Sequence, residues 1–170
     1  MRRTAALAAA LAIVFAVYVA APSWGSEAKP GRTETCKETD QREIEALFDR
    51  WNNSLQTGQP GMVVANYAEG SVLLPTVSNT PRVTVAEKKD YFLHFLKDRP
   101  EGKIDWRVIE IGCNSAIDSG LYTFTFHATG ATVKARYTFT YKWDGGKWLI
   151  TSHHSSRMPE DCRKWKPTKK

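Results

Sequence analysis

The sequence predicts an α+β domain, helices packed on an antiparallel sheet, and three observations carry that prediction. Apolar residues recur at spacings of three and four in segments before residue 100. From Ile104 onward the period switches to two, and a glycine-rich turn joins the last two alternating segments into a hairpin. Helices gathered ahead of a sheet bury their apolar stripes against one of its faces. If that sheet bends strongly around the leading helix, its inner face forms a cone with a mouth, where a small ligand is expected.

The first element is a leader. "MRRTAALAAALAIVFAVYVAAPSWGSEA" begins with Arg2 and Arg3, continues as an uncharged apolar run from Ala5 to Ala21 and ends in small residues, the pattern of a secretory signal peptide. Residues 1–25 are assigned to it, with Gly25 or Ala28 as its last residue, because Pro22 disfavours a cut after Ala21. The run falls short of the ~20 apolar residues that a spanning helix needs. A secreted or periplasmic protein without stable membrane insertion after cleavage is expected. Residues 26–35 read as a linker, 36–159 as one domain and 160–170 as a basic tail.

The charge supports no nucleic-acid partner. Of the formal +6, Arg2 and Arg3 lie in the leader, while Arg163, Lys164, Lys166, Lys169 and Lys170 crowd the C-terminus, leaving the body nearly neutral. A nucleic-acid binder carries its positive charge as a patch on folded structure. Cys36, Cys113 and Cys162 permit one internal disulfide in an oxidising compartment. Cys36 with Cys113 is the expected pair because both flank regular elements, with Cys36 and Cys162 as the alternative.

Within the domain, "TDQREIEALFDRWNNSLQTG" places Ile44, Leu47, Phe48, Trp51 and Leu55 on one helical face. Asp40 and Glu43 supply a cap of the capping-box kind, and Gly58 with Pro60 ends the helix. "PGMVVANYAEG" reads as a short second helix with Met62, Val63 and Tyr67 inward, and "SVLLPTVSNTPR" as a strand leaving into a loop. A third helix starts at Thr84 with Glu87 three residues on, buries Tyr91, Phe92, Phe95 and Leu96, and stops before Pro100. Four strands follow: "KIDWRVIEIG", "LYTFTFHA", "TVKARYTFTYKW" and "KWLITSHHSS".

The pieces "IEALFDRWNNSLQTGQP", "VVANYAEGSVLLPTVSNTPR", "DYFLHFL" and "ARYTFTYKWDGGKWLITSHHSSRMPE" resemble, in order and spacing, the nuclear transport factor 2-like (SnoaL-like) superfamily. The likeness is greatest to its calcium/calmodulin-dependent protein kinase II association-domain branch, which includes secreted bacterial SgcJ/EcaC-type proteins. The resemblance implies a cone with three N-terminal helices on a strongly curved antiparallel sheet, a chain that partners itself as a homodimer or larger oligomer, and no cofactor. It implies no kinase, since the chain contains neither "HRD" nor "DFG" nor a glycine-rich phosphate loop. The pocket arginines of the kinase branch are matched incompletely: Arg136 is present, with Thr138, Phe139 and Ser155 around the other positions.

His153 and His154 are the chemically suggestive residues. Neighbours on a strand face opposite ways, so the two cannot grip one metal without a bulge, and no HExxH or carboxylate cluster accompanies them. A two-residue Gly145-Gly146 loop pairs Trp143 with Trp148 and puts His153 on the face of Arg136 and Thr138; a three-residue loop puts His154 there instead. The first register matches apolar with apolar and is preferred. The expected ligand set is Arg136, His153, His154 and Tyr137, with Tyr91 and Trp51 as walls, although their spacing equally makes these two core residues. A small anionic or carbonyl ligand fits such a set. The favoured function is a secreted oligomeric binding or assembly module without turnover. The alternative is a cofactor-free isomerase, cyclase or hydrolase using His153 or His154 as acid/base with Asp105 or Tyr137 as partner.

Overall fold

A computed structural model describes residues 35–159 other than Val77. The leader, nearly all of the linker, the basic tail and Cys162 lie outside the described residues.

Helix α1 (Gln41–Gln56) forms where the 3.6-residue stripe predicts, and Ile44, Leu47, Phe48, Trp51 and Leu55 are all buried. Asp40 caps it by accepting from the Glu43 amide at 2.8 Å. The box is not reciprocal. Glu43 turns its carboxylate to Thr39, at 2.5 Å, and to Lys37 and Trp148 Nε1 instead. Hydrogen bonding to Thr39 holds its pKa below the usual carboxylate range. Gly58, at φ +66°, takes the left-handed turn that ends the helix.

Helix α2 is only Pro60–Val64. Tyr67, expected on that helix, instead opens strand β1 (Tyr67–Leu74), and Met62 is exposed rather than inward. Helix α3 (Val85–Phe95) begins with the complete Thr84–Glu87 capping box and continues through a 3₁₀ turn to Asp98. Strand β2 starts at Pro100, after Arg99 adopts φ +48°.

Strands β2 (Pro100–Gly112), β3 (Ser115–Phe126), β4 (Ala131–Trp143) and β5 (Trp148–Arg157) form an antiparallel meander, and β1 joins the β5 edge in parallel, giving the order β1-β5-β4-β3-β2. The curled sheet receives α1 on one face, as the α+β reading requires. That inner face carries Ala116, Tyr122, Phe124, Ala135, Tyr137, Phe139 and Tyr141, packed on Phe48 and Trp51. Among the described residues no helix is long and apolar enough to cross a membrane.

Two single-residue bulges set which side chains face inward. Between β2 and β3, Ile104 faces Tyr122 while Trp106 faces Leu121, so Asp105 is the extra residue. Beyond it the phase inverts: Trp106 turns to the outer face and Arg107 to the inner. Gly120 is required there, since a Cβ on it would lie 2.0 Å from the Trp106 carbonyl oxygen. In β5, Ile150 faces Tyr141 but Ser152 faces Thr140, which makes Thr151 the extra residue.

The Cys36–Cys113 disulfide ties the entrance of α1 to the β2–β3 turn across 77 residues, with Cα atoms 4.8 Å apart. Asn114 in that turn reinforces the tie by accepting from the Lys37 amide at 2.8 Å. A closed loop of that size restricts the unfolded chain by about 4.5 kcal/mol in the chain-entropy treatment. The double variant Cys36→Ser/Cys113→Ser is expected to unfold at a clearly lower urea concentration, with an equal shift on reducing the unmodified protein; urea titration under oxidising and reducing conditions checks this.

Candidate functional site: a hydroxyl-lined cavity in the cone

The β5 bulge decides the site. The turn register is the preferred one, Trp143 with Trp148 and Tyr141 with Ile150, but Thr151 then shifts the phase by one. His153 therefore faces Phe139 on the inner side, and His154 faces Thr138. Arg136, two residues from Thr138, lies exposed on that same outer face with His154. One imidazole does share a face with Arg136, as expected, but it is His154 and the face is the outer one; the expectation that the pair lines the cone is corrected, because β4 buries Ala135, Tyr137, Phe139 and Tyr141 and so turns Arg136 outward.

The inner side holds a cavity of about 140 Å³. Its walls are mostly aromatic, with Trp51 from α1, Tyr91 and Phe95 from α3 and Phe124 from β3. Thr76, Tyr122 and Ser155 bring their hydroxyls together in its wall, and Tyr91 and His153 are further polar residues lining it. Trp51, Tyr91 and His153 thus line the cavity. Tyr137 is absent from its walls: its hydroxyl donates to Asp118 Oδ1 at 2.8 Å. Asp105 is exposed in the β2 bulge, accepting from Thr123 at 2.6 Å, and does not reach the cavity.

Three hydroxyls form a chain. Tyr122 donates to Ser155 Oγ at 2.5 Å, and Ser155 is hydrogen-bonded to Thr76. Three hydroxyl hydrogens serve two bonds, so whichever way the second bond runs, one hydrogen remains for a ligand. Burial pushes the Tyr122 phenol well up, and lifts Tyr91 to about 12 with Arg82 opposing the rise. Both phenols are protonated donors at any physiological pH.

His153 is buried, stacked on Phe139 at a centroid distance of 4.0 Å and edge-on to Trp51. Its Nδ1 lies 2.9 Å from the Tyr67 hydroxyl, which also receives Trp51 Nε1–H at 3.2 Å. Its Nε2 is buried with no partner among the described residues. Desolvation, with a smaller contribution from His154, lowers its pKa to about 3, so the ring is neutral.

A second polar group sits on the inner face beyond Phe48. The β2 bulge brings Arg107 within 3.1 Å of Asp118, whose carboxyl is fully buried. Burial raises the Asp118 pKa, while the Tyr137 hydrogen bond and Arg107 pull it down. This pair tethers β2 to β3 and β4 behind the cavity, and Tyr137 stacks on Tyr122 at 4.8 Å. Sequence reasoning passed over Arg107, Thr76, Tyr122 and Tyr67. Only Ser155 had been marked, as a place where a relative carries arginine. Among the described residues no three His, Cys, Asp or Glu side chains converge as a metal site.

The buried neutral imidazole makes stability pH-dependent. In the unfolded chain this histidine titrates near ~6.5, while the folded state resists protonation until about 3. Between those values the unfolded state binds the extra proton, so stability present above pH ~6.5 is lost as pH falls, by about 1.4 kcal/mol per unit. In His153→Gln that component of the slope is expected to vanish, as chemical denaturation from pH 7 to 4 would show.

The comparisons agree with this fold. Residues 40–159 match the family model for the calcium/calmodulin dependent protein kinase II association domain. A solved structure of a candidate protein of that domain type from Xanthomonas campestris is 47% identical, covering 73% of this chain and 91% of its own, with a TM-score of 0.69. An NTF2-like protein from Pseudomonas putida KT2440 shares the fold at 16% identity, 78% and 100% coverage and TM-score 0.64. An iota-carbonic anhydrase from a cyanobacterium, solved with bicarbonate, does so at 20% identity, 72% and 94% coverage and TM-score 0.63. No protein of curated function matches. The chain belongs to the calcium/calmodulin dependent protein kinase II association domain family, on an NTF2-like fold.

Proposed function

We propose that the cavity binds bicarbonate and carbon dioxide and catalyses their interconversion. The observation that carries this reading is Ser155, held between Tyr122 and Thr76 in the wall of a mostly aromatic chamber of about 140 Å³. Apolar walls suit the uncharged gas, and hydroxyl donors suit the oxygens of the anion. The fold neighbour solved with bicarbonate lends support.

In the forward direction a water oxygen attacks the carbon of CO₂. One C–O bond forms, a C=O π pair moves onto oxygen, and the attacking water loses a proton, giving HCO₃⁻ and H⁺. The hydrogen left over in the Thr76–Ser155–Tyr122 chain stabilises the oxygen on which charge develops. The same hydroxyls offer a route for the departing proton toward Thr76, which is half-buried and next to the cavity's loop. A second reading is binding of a small oxyanion without turnover: among the described residues the cavity walls carry no carboxylate to serve as base.

Export and self-association complete the proposal. The leader sequence and the Cys36–Cys113 disulfide support an oxidising extracytoplasmic location. The outer sheet face supports a homodimer. Trp106, Val108 and Ile117 are 58%, 45% and 39% exposed there, large apolar side chains whose exposure favours cover by a second copy.

Purified protein is expected to accelerate CO₂ hydration in a stopped-flow pH-indicator assay, and Ser155→Ala to lower kcat by about 10²-fold, the scale of losing one donor at a developing oxyanion. Bicarbonate binding without any rate acceleration would establish the binding-only reading. Trp106→Glu is expected to shift the protein from dimer to monomer in sedimentation equilibrium.

A further inference from the structure

The hydrogen bonds around His153 admit only one economical arrangement. The indole of Trp51 is a donor and nothing else, so the Tyr67 oxygen accepts from it at 3.2 Å. Tyr67 then has one hydrogen to place, and its neighbour 2.9 Å away is His153 Nδ1. If Nδ1 carried the imidazole hydrogen, Tyr67 would accept twice, and its own hydrogen and the Nε2 lone pair would both go unmet by any group among the described residues. Each such loss costs about 1–3 kcal/mol. If Tyr67 donates to Nδ1, a single group is left over, the hydrogen on Nε2.

We infer that Trp51 and Tyr67 are positioning residues that lock His153 as its Nε2–H tautomer, so that the imidazole meets a ligand as a hydrogen-bond donor and never as a base. The inference rests on the cavity being the binding site, and it deepens that reading by naming the ligand's form. The donors left unspent are Nε2–H and one hydroxyl hydrogen of the Thr76–Ser155–Tyr122 chain. Such a pair selects a small, already deprotonated oxyanion over its conjugate acid, whose own hydrogen would meet a donor.

The ring stays in this state across the physiological range because of what surrounds it. Tyr67 from β1 is raised far above neutrality by burial, as are Tyr122 from β3 and Tyr141 from β4, and Tyr91 of α3 is lifted to about 12. His154, next in the strand, opposes any charge on His153. Lys88 of α3 lies 5.9 Å from the Tyr67 ring centroid, its ammonium donating to the Ser71 and Val83 carbonyls. Among the described residues no carboxylate lines the cavity to favour an imidazolium. Between pH 5 and 9 the dependence of binding then follows the ligand's own ionisation.

The experiment is histidine-selective ¹⁵N labelling of the full chain, with His153→Gln to assign the resonance, and two-bond ¹⁵N–¹H spectra from pH 8 to 4 with and without bicarbonate. The expected spectrum has a protonated Nε2 and an unprotonated Nδ1 that do not titrate, with Nε2 shifting on bicarbonate addition. Tyr67→Phe is expected to mix the tautomers and weaken bicarbonate binding roughly tenfold. A protonated Nδ1, or titration of His153 near its free value, would overturn the lock whatever binds. An Nε2–H spectrum untouched by bicarbonate would leave the lock standing and overturn the proposed substrate.

Discussion

The site depends on one extra residue in one strand. Thr151 breaks the two-residue period of β5, and everything C-terminal to it changes face. Without that shift His153 and Ser155 would lie on the outer face, and Ser152, His154 and Ser156 would turn inward in their place. The residue is well held: Thr151 and Thr140 share a hydroxyl hydrogen bond at 2.6 Å where the ladder is disrupted. A second bulge at Asp105 does the same for Arg107, and the absent side chain of Gly120 gives that strand its clearance. Each bulge turns polar side chains toward the inner face, His153 and Ser155 in β5 and Arg107 in β2.

Those insertions are tolerated because the interior is organised around α1. Trp51 meets Phe124, Phe139 and His153 edge-on, and Phe48 meets Tyr122, Tyr137 and Phe139. A rigid aromatic frame fixes the donors before a ligand arrives, so little ordering is left for binding to supply. The chemistry this permits is electrostatic. In the proposed reaction a neutral imidazole and protonated phenols would stabilise charge by direction of their hydrogens and leave proton removal to the hydroxyl chain.

Much of the fold was legible from periodicity. The stripe of α1, the capping box at Thr84 and the Trp143–Trp148 register all stand where the residues put them. The boundary near Tyr67 was not, because Val63 and Tyr67 fall four apart and satisfy a helix as readily as the start of a strand. The site was half legible. Trp51, Tyr91 and His153 line the cavity, whereas Arg136 faces away with the outer residues of β4 and His154 faces away because the β5 bulge adds a residue without leaving a local pattern to read. Thr76 was invisible for a different reason: it follows β1 in a loop and meets Ser155 only through the parallel β1–β5 pairing.

The central claim is that the cavity of the cone seats a small oxyanion on the hydroxyls and imidazole of its wall. A crystal structure of the protein grown in bicarbonate tests this most directly. The account predicts the anion inside the cone, with oxygens within hydrogen-bonding distance of Ser155 Oγ and His153 Nε2. A chamber filled only by water, with bicarbonate bound on the outer face beside Arg136 and His154, would contradict it.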